Sequence, residues 1–335
     1  MNIFDFFKRD NKYLGANLPT QNDIDSQIHF QDIVATAAPV KWLPLDINNL
    51  PSWPQYDQNA TYECVAHTDA LTDSILYQMK TGNEIKFSPT WIYSNRVNKP
   101  TAGMVGTDVF KISKNIGGIP YELLPTPQTE IEANNVKVYP WFSDIAKVFQ
   151  SDSEGIIIPI KDMDTLVSIQ QVTGKPIMVW FEFNWGDWAR QIPIIGQYFP
   201  ALRHSVTFVP SRDGKPSYGL YNGEKAIVIQ DSTGLSTSLN GKRIITESFY
   251  NKYNIFAMYK MRFKFDVKQG ERYDGSIISL QKCLRSIGLF PTNVEPVENY
   301  GRITKGAVIK FQALNGVTET GILDDVTRAL LIKQF

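Results

Sequence analysis

The apolar residues change period at Gly174, and that switch limits the fold of this chain more than any other feature. Upstream of it, Val65, Ala66, Leu71, Ile75, Leu76 and Met79 recur mostly at helical spacing and predict an amphipathic helix over 61–80. Ser88-Pro89 supplies an N-cap and a first-turn proline for a short helix running to Val97. A third helix is expected over 108–116, where Val109, Phe110, Ile112 and Ile116 precede the stop at Gly117-Gly118, and a fourth over 162–172, closed by Gly174. Downstream, 177–183, 205–209 and 226–230 are rich in β-branched and aromatic residues, with Asn184, Gly214, Asn222 and Gly223 as punctuation. Helices first and antiparallel strands second make an α+β domain whose elements segregate, with room for a site between the halves.

A chain of 335 residues suits more than one core. After Phe265 the pattern turns helical again, and the polar stretch 268–274 reads as a joint. The expected layout is a turn-rich extension over 1–45 docked on a main domain over 46–265, then a linker over 266–275 and a small helical domain over 276–335. The extension carries Asn11, Gly15, Asn17, Pro19 and Asn22.

Bulk chemistry removes several classes of partner. The 34 basic and 34 acidic residues balance, so neither nucleic acid nor an anionic membrane surface is an expected partner. Asp5, Lys8, Arg9 and Asp10 break up the apolar residues of the first segment, so no signal peptide is expected, and no apolar run approaches the roughly 18 residues of a membrane span. Cys64 and Cys283 lie in different expected domains and form no disulfide framework. Three histidines and two cysteines, scattered without ligand spacing, leave neither a metal nor a cofactor to expect.

The segment YDQNATYECVAHTDA, Tyr56 to Ala70, concentrates the chemistry: Cys64 opens the first helix and Gln58 stands six positions before it. A thiol there feels the positive end of the helix, which favours the nucleophilic thiolate. His67 shares the helix with Cys64 and would not reach across a cleft, His29 precedes the cysteine, and His204 lies downstream in RHSVTFV. IVIQDSTG, Ile227 to Gly234, ends a strand at Asp231, a residue able to accept a hydrogen bond from the imidazole and fix its tautomer. A lone helical cysteine is ordinarily a packing residue, and Asp231 alone would be a turn residue.

This constellation resembles the papain and cathepsin family of cysteine peptidases. The separation of Cys64 and His204 falls within the roughly 130 to 150 residues of that pattern, and FSPTWIY, NIGGIPYELLP and TGKPIMVWFEF come in family order. The resemblance implies a two-lobed domain, with a helical left half and an antiparallel, barrel-like right half. It also implies a thiol peptidase in which Cys64 is nucleophile, His204 general base and acid, Asp231 the orienter in place of asparagine, and Gln58 an oxyanion-hole donor. A second class of wall peptidases pairs its cysteine and histidine much closer in sequence. Departures are Val65 and Thr233 where the family has tryptophans, the absence of its cysteine pairs, and Glu63, a carboxylate expected to oppose the thiolate. The lead-in is shorter than the usual inhibitory prosegment, so regulation by its removal is not expected. The aromatic run WFEFNWGDW, Trp180 to Trp188, is read as packing before subsite.

The tail resembles the three-helix peptidoglycan-binding module. The match runs through Leu280, Gln281, Leu284 and Gly288, then Tyr300-Gly301, Thr304, Ala307-Val308 and Phe311-Gln312, then Gly316, Gly321, Asp324, Thr327 and Leu330. Leu280, Leu284, Val308, Phe311 and Leu330 are expected to face one small core, with Cys283 at or near it. The two resemblances together imply a peptidase acting on protein or peptide, brought to peptidoglycan by residues 276–335. Such a protein works outside the cell or at the wall: a phage virion or lysis component, or a bacterial protein exported without an ordinary leader or held in the cytoplasm until release. The alternative is a catalytically inactive papain-like fold with a structural or wall-binding role.

Overall fold

Cys64–Thr81 forms the long helix α1, which ends at Gly82 in the left-handed conformation that a residue without Cβ adopts cheaply. In the computed structural model, residues 15–17, 39–150, 155–158, 162–196, 201–260, 276–297 and 299–332 are described. Around α1 lie α2 (Pro89–Ser94), α3 (Asp108–Asn115), α4 (Glu130–Asn134) and α5 (Pro140–Val148). The Ser88 hydroxyl caps α2 by accepting from Trp91 N, and Thr129 with Glu132 closes a capping box on α4. Helix α2 stops at Ser94, short of the expected Val97. Helices α4 and α5 have no counterpart among the expected elements: 130–134 is too short for a clear period, whereas 140–148 opens on a first-turn proline as α2 does.

Next come β3 (Gly155–Ile158), α6 (Met163–Thr173), β4 (Ile177–Asn184), α7 (Trp185–Trp188), β5 (Ala201–Phe208), β6 (Tyr218–Tyr221), β7 (Glu224–Gln230), β8 (Lys242–Thr246), α8 (Glu247–Tyr253) and β9 (Asn254–Lys260). Seven strands make one antiparallel sheet in the order β3-β9-β4-β5-β7-β6, with β8 also on β7. The segregation of elements is incomplete, since α6, α7 and α8 interleave with the strands.

Side chains on a strand point alternately to opposite faces, and here both faces are covered. On β4, Met178 and Trp180 join the core shared with α1, while Ile177, Val179, Phe181 and Phe183 join a second core with Leu166 of α6 and Phe249 of α8. Val228 and Ile244 face the first core; Ile227, Ile229 and Ile245 face the second. This two-sided burial explains why these strands read as continuous apolar runs.

One buried ionic cluster ties α1 to the sheet. Lys260 Nζ, at the end of β9, lies 2.7 Å from Asp69 and 2.6 Å from Asp73 of α1, and donates to Ser113 of α3 at 2.8 Å. Burial opposes the charge on Lys260, but the two carboxylates raise its pKa; Asp69, pushed up by burial against the pull of Lys260, sits at about 7.

The tail folds as α9 (Ser276–Ser286), α10 (Arg302–Leu314) and α11 (Asp325–Ile332). Leu280, Leu284, Val308 and Phe311 are buried as expected; on α11 Leu331 is the buried leucine and Leu330 only partly so. Two buried amides hold the helices: Gln281 Nε2 donates to Thr304 Oγ1 and Asn299 O, and Gln312 Nε2 donates to Thr327 Oγ1 and Ile322 O. These matched residues are therefore scaffold. The tail does not hang free: α9 packs on α5, and Cys283 and Leu331 close a small apolar cavity with Leu123, Ile145, Val148 and Phe149. Lys282 pairs with Asp144 at 3.4 Å at its edge. The expected linker 266–275 lies outside the described residues.

Candidate active site

Cys64 is the first residue of α1, where the first-turn N–H groups have no helical acceptor and the first turn carries no acidic side chain to neutralise the dipole. His204 projects from β5, opposite Phe181 of β4 in the ladder. Asp231 comes directly after the end of β7, and Gln58 belongs to the loop before α1. The fold brings all four together and buries them, Cys64 and His204 at 0% exposure, Asp231 at 1% and Gln58 at 2%. His29 lies outside the described residues.

His204 Nε2 is 2.7 Å from Asp231 Oδ1. Burial opposes ionisation of Asp231, yet His204 and Arg243 hold its carboxyl well below the usual carboxylate range, so it is the acceptor and Nε2 carries the proton. With Nε2 committed to Asp231, Nδ1 is left as the basic nitrogen. For the imidazole, burial lowers the pKa, but the Asp231 charge and hydrogen bond, with smaller contributions from the neighbouring Cys64 thiol, raise it to about 9.

Gln58 is pinned to the strand end beyond Asp231. Its backbone N donates to Ser232 O at 2.9 Å, and Ser232 Oγ donates to its Oε1 at 2.9 Å. Its Nε2 donates to Thr61 O at 3.0 Å, and an amide nitrogen carries a second hydrogen able to serve an oxyanion.

Two residues that the sequence did not single out complete the site. Trp188 of α7 donates from Nε1 to Asp231 Oδ2 at 2.9 Å and stands edge-on to His204, centroids 5.6 Å apart at 84°. It supplies the aromatic shield that Thr233 cannot. Arg243 of β8 is wholly buried and donates from Nε to Asp231 Oδ2 at 2.8 Å. A cation inside the apolar strand KRIIT is the only sequence signal for it. In the aromatic run, Trp180 stacks on Phe256 at 4.6 Å and is core.

Glu63 corrects an expectation. Burial raises its pKa to about 8, against the lowering effects of a hydrogen bond from Thr90 and the charge of Arg96, so it is protonated at neutral pH and leaves the thiolate unopposed. Its neighbour His67, 3.6 Å away, is pushed down to about 3 by burial and stays neutral, contacting Thr126 Oγ1 at 3.3 Å.

A short piece of the lead-in lies on the main domain. Ala16–Asn17 forms β1, pairing in parallel with β2, Met104–Val105. Gly15 approaches Tyr62 so closely that a Cβ would lie 1.9 Å from its carbonyl oxygen, at a φ of +98° that only glycine adopts easily. Ala16 is fully buried, and β1 also packs on β5, the strand of His204. Residues 15–17 thus lie as a strap beside the seam where Cys64 meets His204.

Among solved structures, the chain is similar to xylellain, a cysteine protease from Xylella fastidiosa, with a TM-score of 0.57 and 17% identity over 76% of this chain and 96% of that one. The fold is papain-like. It is also similar to procathepsin L 3 from the Tenebrio molitor larval midgut (TM-score 0.54, 14% identity, 77% of this chain and 78% of that one). Procathepsin B S9 from Trypanosoma congolense gives 0.53 and 11% identity over 76% and 88%. Residues 274–331 match the family described as "Putative peptidoglycan binding domain". No curated protein matches the chain. Among the described residues no group of three or more His, Cys, Asp or Glu could hold a metal, and no helix is long and apolar enough to cross a membrane.

Proposed function

We propose that the chain is a thiol peptidase of papain type, brought to the bacterial cell wall by residues 276–335 and cleaving protein or the peptide part of peptidoglycan. The observation that carries this reading is the His204 Nε2 to Asp231 Oδ1 bond of 2.7 Å, with the Cys64 thiol on the imidazole's other side at a helix N-terminus. Cys64 sulfur attacks the peptide carbonyl as its proton resides on His204. The Cys64 N–H and the free Gln58 amide hydrogen stabilise the tetrahedral oxyanion. His204 then protonates the leaving amine, the acyl-enzyme forms, and water activated by the same imidazole releases the acid. Asp231 keeps the ring in the productive tautomer throughout. Binding to wall raises the local concentration of substrate, whether the protein is delivered by a virion, at lysis or by export.

A second reading rests on the complete burial of Cys64 and His204: a latent or inactive fold whose work is wall binding. Both are tested by the pH dependence of Cys64 alkylation. Fast modification near about pH 5 to 6 that collapses in His204→Ala supports the peptidase. Ordinary thiol behaviour in both proteins would leave the wall-binding reading. Cys283 does not confuse the assay, because burial pushes its thiol up to about 12.

A further inference from the structure

We propose that Arg243 is a positioning residue for His204: by pairing with the far oxygen of Asp231 it offsets part of the charge behind the imidazole, so that the ring can both take up and release the Cys64 proton. This rests on the peptidase reading of the site.

The geometry divides Asp231 into two halves. Oδ1 faces His204 Nε2 at 2.7 Å and accepts from Thr233 N at 2.9 Å; Oδ2 accepts from Arg243 Nε at 2.8 Å and Trp188 Nε1 at 2.9 Å. The rest of the guanidinium is consumed by the loop that carries Asp231 and by the segment after α7. Nη1 donates to Arg190 O and Thr237 O, and Nη2 to Thr233 O, Gly234 O and Thr237 Oγ1. With every donor used, Arg243 cannot turn away, and its Nε meets the carboxylate at the single oxygen Oδ2.

Charge then decides its role. From α1 the titratable groups facing His204 are Cys64 and His67, the latter neutral; from the end of β7 comes Asp231, from β8 Arg243, and from α7 only the uncharged Trp188. An Asp231 carboxylate without Arg243 would put a full negative charge 2.7 Å from the imidazole in a site closed to water, holding the proton that the leaving amine must receive. Paired with Arg243, the carboxylate still orients the ring while part of its pull on the proton is offset.

The test is the His204 imidazole titration, tracked by NMR in the full chain, beside the pH profile of Cys64 alkylation. Arg243→Met should move the His204 titration upward by about one pH unit or more. Asp231→Asn with Arg243→Met should reverse that rise, and Arg243→Lys, which keeps the charge, should leave the titration in place even if the fold is weakened. An unchanged or downward titration in Arg243→Met, or no reversal in the double variant, overturns the proposal and leaves Arg243 a loop staple. Loss of the peptidase reading would show separately, as an ordinary thiol profile in the wild type, whatever the histidine titration does.

Discussion

Trp188 meets the His204 ring edge-on at 5.6 Å and, through its own N–H, binds the Asp231 carboxylate that orients that same ring. One side chain therefore excludes water from the imidazole and fixes the group behind it.

Trp188→Phe keeps an aromatic ring and removes the N–H, so it should lower kcat/KM by roughly tenfold, the order set by one hydrogen bond to a charged group. Trp188→Ala should destabilise the domain by about 3 to 5 kcal/mol as well, because a buried indole leaves a cavity among Phe181, Phe183 and Phe249. Steady-state kinetics and urea unfolding separate the two effects.

Glu63 sets a pH dependence of stability with a definite sign. Its folded pKa of about 8 lies above the ordinary value of 4.5, so the folded state binds the extra proton between them. The associated stability is present in full below about 4.5 and is lost as the pH rises through about 8. Glu63→Gln mimics the protonated acid; it should match the wild type near about pH 4.5 and exceed it above about pH 8 in denaturant unfolding, with Cys64 alkylation near about pH 6 unchanged. Equal stabilities of the two proteins at both pH values would mean that Glu63 is ionised in the fold.

The strap should control access to the thiol. Gly15→Val sets a branched Cβ against the Tyr62 carbonyl and disfavours the positive φ, so β1 should leave β2 while both cores remain. Cys64 alkylation should accelerate severalfold with the thermal midpoint nearly unchanged. An unaltered rate would show that residues 15–17 do not guard the site.

Docking of the tail should depend on the apolar contact around Cys283. Ile145→Asp puts a charge into the cavity shared with Leu331 and should release the tail, seen as a larger radius of gyration in small-angle scattering with helix content preserved. Asp144→Ala removes only the half-exposed pair with Lys282 and should change little.

Several elements were legible from residues close together in the chain. The helical period after Thr61, the Ser88-Pro89 start, the Gly174 stop and the β-branched runs around Val179 and Val228 are local signals, and the helices and strands appear within a few residues of their expected bounds. The helix start at Cys64, the strand of His204 and the turn at Asp231 were likewise written locally. The sequence by itself determined the α+β character, the helical tail and four polar residues in a telling order. Tertiary structure alone decided that Glu63 is neutral, that Trp188 and Arg243 complete the support of Asp231, that Ala16 lies beside the cleft and that α9 rests on α5. The reason is that dihedral preference and period act over a turn or two of chain, whereas desolvation and the identity of a charge's partners depend on what distant segments bring to the same few ångströms.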